Sequence, residues 1–371
     1  MPNKSSKPNL QRSTLQKLSS KNPNPLIPLR LEYSTYSKLL TGYINKLIDT
    51  PRIYPTFLPT QASFRWSTLN PPITNWPRAC INPECQVGML QEISIEKSGY
   101  HEHEWTNICW SVRDILKCDE DEILITWDHD DIEGKIGALV LNDTEEIEGY
   151  TQAYDLHTLT CCNLFNMDTP TDLKDPHNSN VDSEWRKKYN WQGKDTPQRV
   201  LSKNFRHGSR YANTWRFIYN ILDKLEAYGV TRQQGIQLAK AYEQSKSEAF
   251  KAKRAIMNQI KKDKIARTLY GGRRLFFDSS DDTGKQGFSH MISGTVSDFN
   301  NETLILLEKV YRGDIRLLHN AHDGDKIAIK KDRIIEGGIE GLRYNLKSII
   351  ERPITYQGRL LTLTAGIKIY E

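Results

Sequence analysis

Apolar side chains at Leu29, Tyr33, Tyr36, Leu40, Tyr43 and Leu47 recur three or four residues apart, the spacing of one helix face, and predict a helix over 29–48. Residues 1–28 have no such period. They are rich in Ser, Asn, Pro and Lys, carry five bases and no acid, and read as a disordered basic arm. Pro-rich loop chemistry fills 51–77, and 80–110 is irregular, with His101 and His103 read as surface residues rather than ligands. The apolar run at 123–127 reads as a buried strand, and 132–141 continues as strand or helix. A helix is predicted over 154–165, then a loop or insertion over 168–193, marked by Pro170, Pro176 and Asn190.

A helical half follows. Thr196-Pro197-Gln198 opens a helix running to about 211, since Thr suits the cap and Pro the first turn. Helices near 213–227, 231–244 and 246–266 come next, with Thr231 and Gln234 placed as a capping box. After Gly271-Gly272 the pattern becomes mixed: strand–turn–strand over 315–330, a helix over 336–350 and a final strand near 359–369. No internal repeat is visible. A sheet-bearing region interrupted by a helical insertion predicts an α+β fold.

Charge sharpens this picture. The net charge is only +5, but residues 119–150 carry twelve acids and one base, Lys135, whereas 199–275 carry eighteen bases and five acids. An acidic centre beside a basic segment is what a metal-using, phosphate-binding cleft looks like along a chain; taken alone, such runs are more often solvated helix faces. A hydrophobic content of 37% with no long apolar stretch predicts a protein without a membrane span. The six cysteines form no CxxC pair and have no histidine at finger spacing, which argues against a zinc site and for reduced thiols inside a cell.

The candidate chemistry lies at strand ends. Asp128 closes the run Ile123-Leu124-Ile125-Thr126-Trp127, and Asp323 sits in the short turn between 316–321 and 326–329. If those strands are neighbours, the two carboxylates could hold a pair of metal ions. Either aspartate alone is more simply a turn residue. Arg199, Lys203, His207 and Tyr211 recur every four residues on one helical face, and like charges at that spacing repel unless an anion compensates. A triphosphate would, with Lys as point charge and Arg as fork.

These blocks, in this order, resemble the polymerase domain of family A DNA polymerases, the bacterial polymerase I type. Asp128-His129-Asp130-Asp131-Ile132-Glu133-Gly134-Lys135 resembles motif A, usually D-Y-S-Q-I-E-x-R, and Asp155-Leu156-His157-x2-Thr160 resembles D-I-H-x-x-T. Arg199-x3-Lys203-x7-Tyr211 is similar to motif B, and His322-Asp323 to the core of motif C, V-H-D-E. Thr268-x2-Gly271-Gly272-Arg273-Arg274 is similar to T-x-x-G-R-R, Gly294-Thr295-Val296-Ser297-Asp298 to G-T-A-A-D, and Ser63-Phe64-Arg65-Trp66-Ser67 to T-G-R-L-S. The resemblance runs from about residue 52 to the C-terminus.

The resemblance implies a right-hand α+β architecture. Its palm would be split as 51–165 (motif A) and 286–371 (motif C), with helical fingers over 166–285 (motif B) and a thumb remnant over 29–50. It implies template-directed addition of dNTPs to a primer 3′-hydroxyl on primer–template DNA. Asp128 and Asp323 would hold two Mg2+ ions, with Mn2+ as the alternative. Arg199, Lys203, His207, Tyr211 and His157 would line the dNTP site, and Glu133 would act as a steric gate against the ribose 2′-hydroxyl. Arg65, Lys285, Arg273, Arg274 and His322 would track the DNA. Against the family pattern, His207 replaces Phe or Tyr, Gly324 replaces the glutamate after the motif C aspartate, and Ser293 replaces a glutamine.

Only about sixty residues precede Arg65, which leads to the expectation of no 3′–5′ exonuclease of its own, low processivity, and a separate thumb or exonuclease subunit or processivity factor. A catalytically silent DNA-binding relative is the rival reading, motivated by Gly324. A single-subunit RNA polymerase is the other, and Glu133 argues against it. The Asn-, Lys- and Ile-rich composition points to a phage or other mobile element, and hence to the cytoplasm of a bacterial host, an organelle being the other location.

Overall fold

The computed structural model describes residues 15, 24–47, 52–58, 64–69, 71–73, 116–175, 183–211, 231–321, 323–334 and 337–370. The predicted helix at 213–227, the irregular stretch at 80–110, part of the Pro-rich loop and His322 lie outside them. The chain divides into two compact units, Met1–Thr56 and Phe57–Glu371. In the first, helix α1 (Leu26–Leu39) begins three residues earlier than its apolar period suggests, because the carbonyl and side chain of Asn24 accept the N–H groups of Ile27 and Leu26. It continues as a π turn over Leu40–Ile44.

In the second unit, a short pair of strands, β1 (Thr56–Leu58) and β2 (Ser67–Leu69), precedes the main sheet. That sheet contains β3 (Glu122–His129), β6 (Ile315–Asn320), β7 (Asp325–Lys330) and β10 (Ala365–Tyr370) in the order β10-β3-β7-β6, every neighbour antiparallel. Side chains alternate across a strand, so Ile123, Ile125 and Trp127 face one side together with Ile327 and Ile329. There they pack on Leu307 and Tyr311 of α10 (Thr295–Tyr311) and on Leu342, Leu346 and Ile350 of α11 (Gly338–Ile350). The other face carries Leu124, Thr126 and Asp128, which are half-buried or exposed. One covered face and one open face is how an antiparallel sheet presents residues to a substrate.

After β3 the chain turns through Asp131, held in the left-handed region at φ 46°, into α2 (Ile132–Leu141). The segment read as strand or helix is therefore a helix. Nine of its ten residues are buried, and a helix apolar nearly all round belongs inside a core. Ile136 and Leu139 pack there on Phe288, Ile292, Val296 and Phe299 and on Leu361 and Leu363. Helix α3 (Thr144–Thr151) follows, capped by the Asp143 carboxylate on the Glu146 N–H; helix α4 (Leu156–Phe165) is capped by Asp155 on His157 and Thr158.

The 168–193 segment is not wholly loop, since it holds a short helix, α5 (Ser183–Lys188). Helix α6 (Pro197–Tyr211) matches its expected span and packs Leu201 and Phe205 on α7 (Arg232–Ser245), whose Thr231–Gln234 capping box is present. The Thr196 hydroxyl itself serves the preceding turn, accepting from the Gln192 N–H. Helix α8 (Ser247–Asp263) ends earlier than expected, at a left-handed Lys264, where β4 (Ile265–Arg267) begins and pairs with β5 (Arg273–Leu275). Helix α9 (Asp281–Ser289) runs through a π turn into α10. The single strand expected near 359–369 is two: β9 (Arg359–Leu363) pairs with β8 (Arg352–Tyr356), whereas β10 crosses to β3.

Candidate active site

Asp128 is the penultimate residue of β3 and is exposed on the open face of the sheet. Its partner on β10 is Gly366, where a side chain would meet nothing within 4 Å, so space is left beside the carboxylate. On the other side, the β6–β7 turn closes through Ala321 N–H to Gly324 O at 2.8 Å, and the carbonyl of Asp323 accepts the His129 N–H at 2.7 Å. Two residues separated by almost two hundred positions thus lie at one end of adjacent strands, the Asp323 turn bonded to the residue that follows Asp128. A carboxylate pair is an all-oxygen donor set of the kind Mg2+ prefers, and the open surroundings suit an ion that keeps several waters.

Gly324 explains itself here. A Cβ at this position would lie 2.0 Å from the Trp127 carbonyl oxygen and 2.9 Å from Asp128 Cα, both backbone atoms. The turn can lie against β3 only because residue 324 has no side chain. Asp325, two residues beyond Asp323, is engaged inside the fold. It is buried at the start of β7, accepts from Asn320 Nδ2 at 2.6 Å, and burial together with the nearby Asp323 pushes its carboxyl well up, toward the neutral acid. Burial likewise holds the His129 imidazole down at about 4, hence neutral at physiological pH.

The α6 stripe is more committed than its spacing suggests. Arg199 is buried, donates to both Asp155 carboxylate oxygens at 2.8–3.1 Å and reaches Thr158 Oγ1 and the Lys194 carbonyl. Asp155 therefore caps α4 and anchors α6 at once. His157 lies beneath His207, ring centres 5.4 Å apart, and Tyr211 donates to Glu133 Oε2 at 2.7 Å. The second Glu133 oxygen accepts from Ser293 Oγ at 2.8 Å and from Arg65 Nη2 at 3.1 Å. Beside motif A, a cavity of about 520 Å³ is bounded by Asp130, Asp131, His157 and Arg199, with Lys135 and Lys194 on its wall. Arg273, Arg274 and Lys285 lie on β5 and α9 instead, with Arg274 donating to Gln286 at 2.6 Å and Lys285 facing Asp282 at 3.3 Å.

Two arginines that the periodic stripe does not contain dominate the interior. Arg206 and Arg210, four apart on the neighbouring face of α6, are both buried. Glu146 of α3 accepts from Arg206 Nε at 3.0 Å and Arg210 Nη2 at 2.7 Å; Arg206 also reaches Asp131 Oδ2 at 2.8 Å and the Tyr150 hydroxyl at 2.7 Å. The signal in the sequence was this second i,i+4 pair of cations and the acid-rich stretch that answers it. Burial pushes the Glu146 carboxyl up, but Arg206 and Arg210 outweigh it and hold it down at about 2. A depressed folded-state value stabilises the protein above the ordinary value of 4.5 and loses that contribution as pH falls toward 2. Thermal unfolding is expected to show an acid limb in that window, with a slope of up to about 1.4 kcal/mol per pH unit from this group. Glu146→Gln should flatten it; an unchanged limb would refute the assignment.

The quoted motif segments also converge. Thr268 Oγ1 donates to Asp298 Oδ2, Thr295 Oγ1 accepts the Leu269 N–H at 2.9 Å, and a side chain at Gly272 would strike Phe64 at 2.5 Å. A sequence profile of DNA polymerase family A matches residues 2–336. The chain belongs to DNA polymerase family A. Among solved structures, the POL domain of Pol1 from M. smegmatis, in complex with DNA primer-template and dNTP, is similar with a TM-score of 0.69 and 18% identity. The alignment covers 100% of this chain and 57% of that one, so this family A chain spans a little over half the length of its structural relative. No curated protein matches it. Within the described residues of this family A member, no helix is long and apolar enough to cross a membrane.

Proposed function

We propose that this chain is a template-directed DNA polymerase that extends a primer 3′-hydroxyl with dNTPs. The observation that carries the reading is that the turn holding Asp323 lies against the end of β3 that carries Asp128, fixed there by the His129–Asp323 backbone hydrogen bond. Asp128 and Asp323 would hold the divalent ions, Mg2+ being the one their oxygen donors favour. Bound there, such ions lower the cost of forming the attacking alkoxide and of releasing pyrophosphate. The reaction is in-line displacement: the 3′-oxygen bonds to the α-phosphorus, the bond to the bridging oxygen breaks, and pyrophosphate departs with that electron pair.

The protein side chains supply position and charge. Lys203 and His157 would meet the triphosphate, and Arg199, fixed by Asp155, would present its remaining face to the same anion. Glu133, held by Tyr211, Ser293 and Arg65, is a carboxylate with no freedom to swing away from a sugar stacked beside Tyr211. That rigidity is what a steric gate requires. Glu133→Ala is expected to raise rNTP incorporation relative to dNTP by about a hundredfold; unchanged discrimination in single-nucleotide addition would remove Glu133 from that role.

In this reading the palm comprises 51–165 and 286–371 and the fingers 166–285, with DNA tracked by Arg65, Arg273, Arg274 and Lys285, and by His322. This reading assigns proofreading to a separate polypeptide. The test is extension of a 5′-labelled primer on defined templates with dNTPs and Mg2+. Products must follow the template sequence, and a mismatched primer end must survive incubation without dNTPs. Untemplated addition, or binding with no addition, would overturn the reading.

A further inference from the structure

One cluster joins His157 and His207 of the nucleotide pocket to Asp131, a buried carboxylate to which the polymerase reading gives no part. Asp131 at the β3–α2 junction, His157 on α4 and His207 on α6 bring one ligand atom each to within 4.8 Å of one another. His207 Nε2 stands 3.5 Å from Asp131 Oδ1, and His157 Nε2 stands 3.7 Å from Asp131 Oδ2. Metal–ligand bonds of about 2.0–2.1 Å in a four-coordinate site put ligand atoms about 3.3–3.5 Å apart, so a small inward adjustment suffices. Asp131 Oδ1 and both ring nitrogens of His157 are buried and have no hydrogen-bond partner. Orphaned buried groups of this kind are costly unless something binds them.

The orientation of the carboxylate is prepared from outside. Tyr150 and Arg206 both donate to Asp131 Oδ2, which fixes the carboxylate with Oδ1 toward His207 and Oδ2 toward His157. The Arg206 charge is answered by Glu146 as well as Asp131, so it does not stand alone against a cation. Two of the three residues are this chain's own departures from the motifs it resembles: Asp131 stands where motif A has glutamine, and His207 where motif B has an aromatic ring.

We propose that Asp131, His157 and His207 form a site for a transition-metal ion of the Zn2+ or Co2+ type, separate from the Asp128–Asp323 pair. Two imidazoles and one carboxylate suit such ions and leave an open coordination position, whereas Mg2+ seeks oxygen. The ion would tie together three elements, the β3–α2 junction, α4 and α6. It would also place positive charge on the wall that faces the triphosphate.

Co2+ serves as the probe, because its visible d–d bands report four-coordinate geometry. The purified full chain is expected to bind one Co2+ with such bands, to keep them in excess Mg2+, and to lose them when Zn2+ is added. Asp128→Ala combined with Asp323→Ala should leave the bands intact. His207→Phe and Asp131→Asn should each abolish them, circular dichroism confirming that the variants are folded. X-ray absorption of the wild-type Zn2+ complex gives an answer without any variant: two imidazoles per ion are expected. An all-oxygen shell, displacement by Mg2+, loss of the bands in the Asp128/Asp323 double variant, or their survival in both His207→Phe and Asp131→Asn would each overturn the proposal.

Discussion

Replacing Asp323 with Ala is expected to reduce primer extension by about a thousandfold or more, while primer–template binding survives. The carboxylate sits in the β6–β7 turn, half-buried, at the end of the sheet where Asp128 emerges. The contact that places it there, the Asp323 carbonyl on the His129 N–H, is a backbone bond and is unchanged by the substitution. Loss of activity would therefore report the missing carboxylate rather than a displaced turn. Asp128→Ala should behave alike, and the double variant should be little worse than either, because two groups serving one reaction do not contribute additively. The measurement is single-turnover extension beside a binding isotherm for the same DNA. Retained extension in either variant would refute the two-carboxylate site.

Gly324→Glu should be nearly as damaging, even though it restores the residue that motif C usually carries. The first side-chain carbon would lie 2.0 Å from the Trp127 carbonyl oxygen and 2.8 Å from its carbonyl carbon. Those atoms belong to the backbone of a central strand, bonded on both sides, and cannot yield without opening the β3–β7 ladder. A loss of about 3 kcal/mol or more is expected, visible as a lower urea midpoint, and Gly324→Ala should show most of it. Activity should fall even where the protein stays folded, since the same displacement separates Asp323 from Asp128. Unaltered stability would mean that the turn does not rest on β3. The glycine is thus a condition of the aspartate pair and no sign of a silent site.

Much of the site could be read along the chain. Asp128 at the end of an apolar strand, Asp323 in a tight turn, and the α6 helix from Pro197 to Tyr211 all stand where their local patterns put them. The contact between Glu133 and Tyr211 followed from resemblance and is present as a 2.7 Å hydrogen bond. What escaped was the choice of partners. The four-residue stripe drew attention to Arg199 as a phosphate contact, and only the fold shows that its guanidinium is also held by Asp155, 44 positions away. Arg206 and Arg210, which that stripe does not include, are both buried.

The sequence by itself determined where most of the long helices and the central strands lie, though not all of their ends, because periodic burial, helix caps and turn residues act over a few neighbouring positions. It also determined the family, through the order of short motifs. Only the tertiary structure decided which charges face each other: that Glu146 neutralises two arginines, that Asp131 gathers two histidines, and that Gly324 must remain without a side chain. A buried charge takes its partner from whatever the packing of distant elements brings within a few ångströms, and no local pattern encodes that distance.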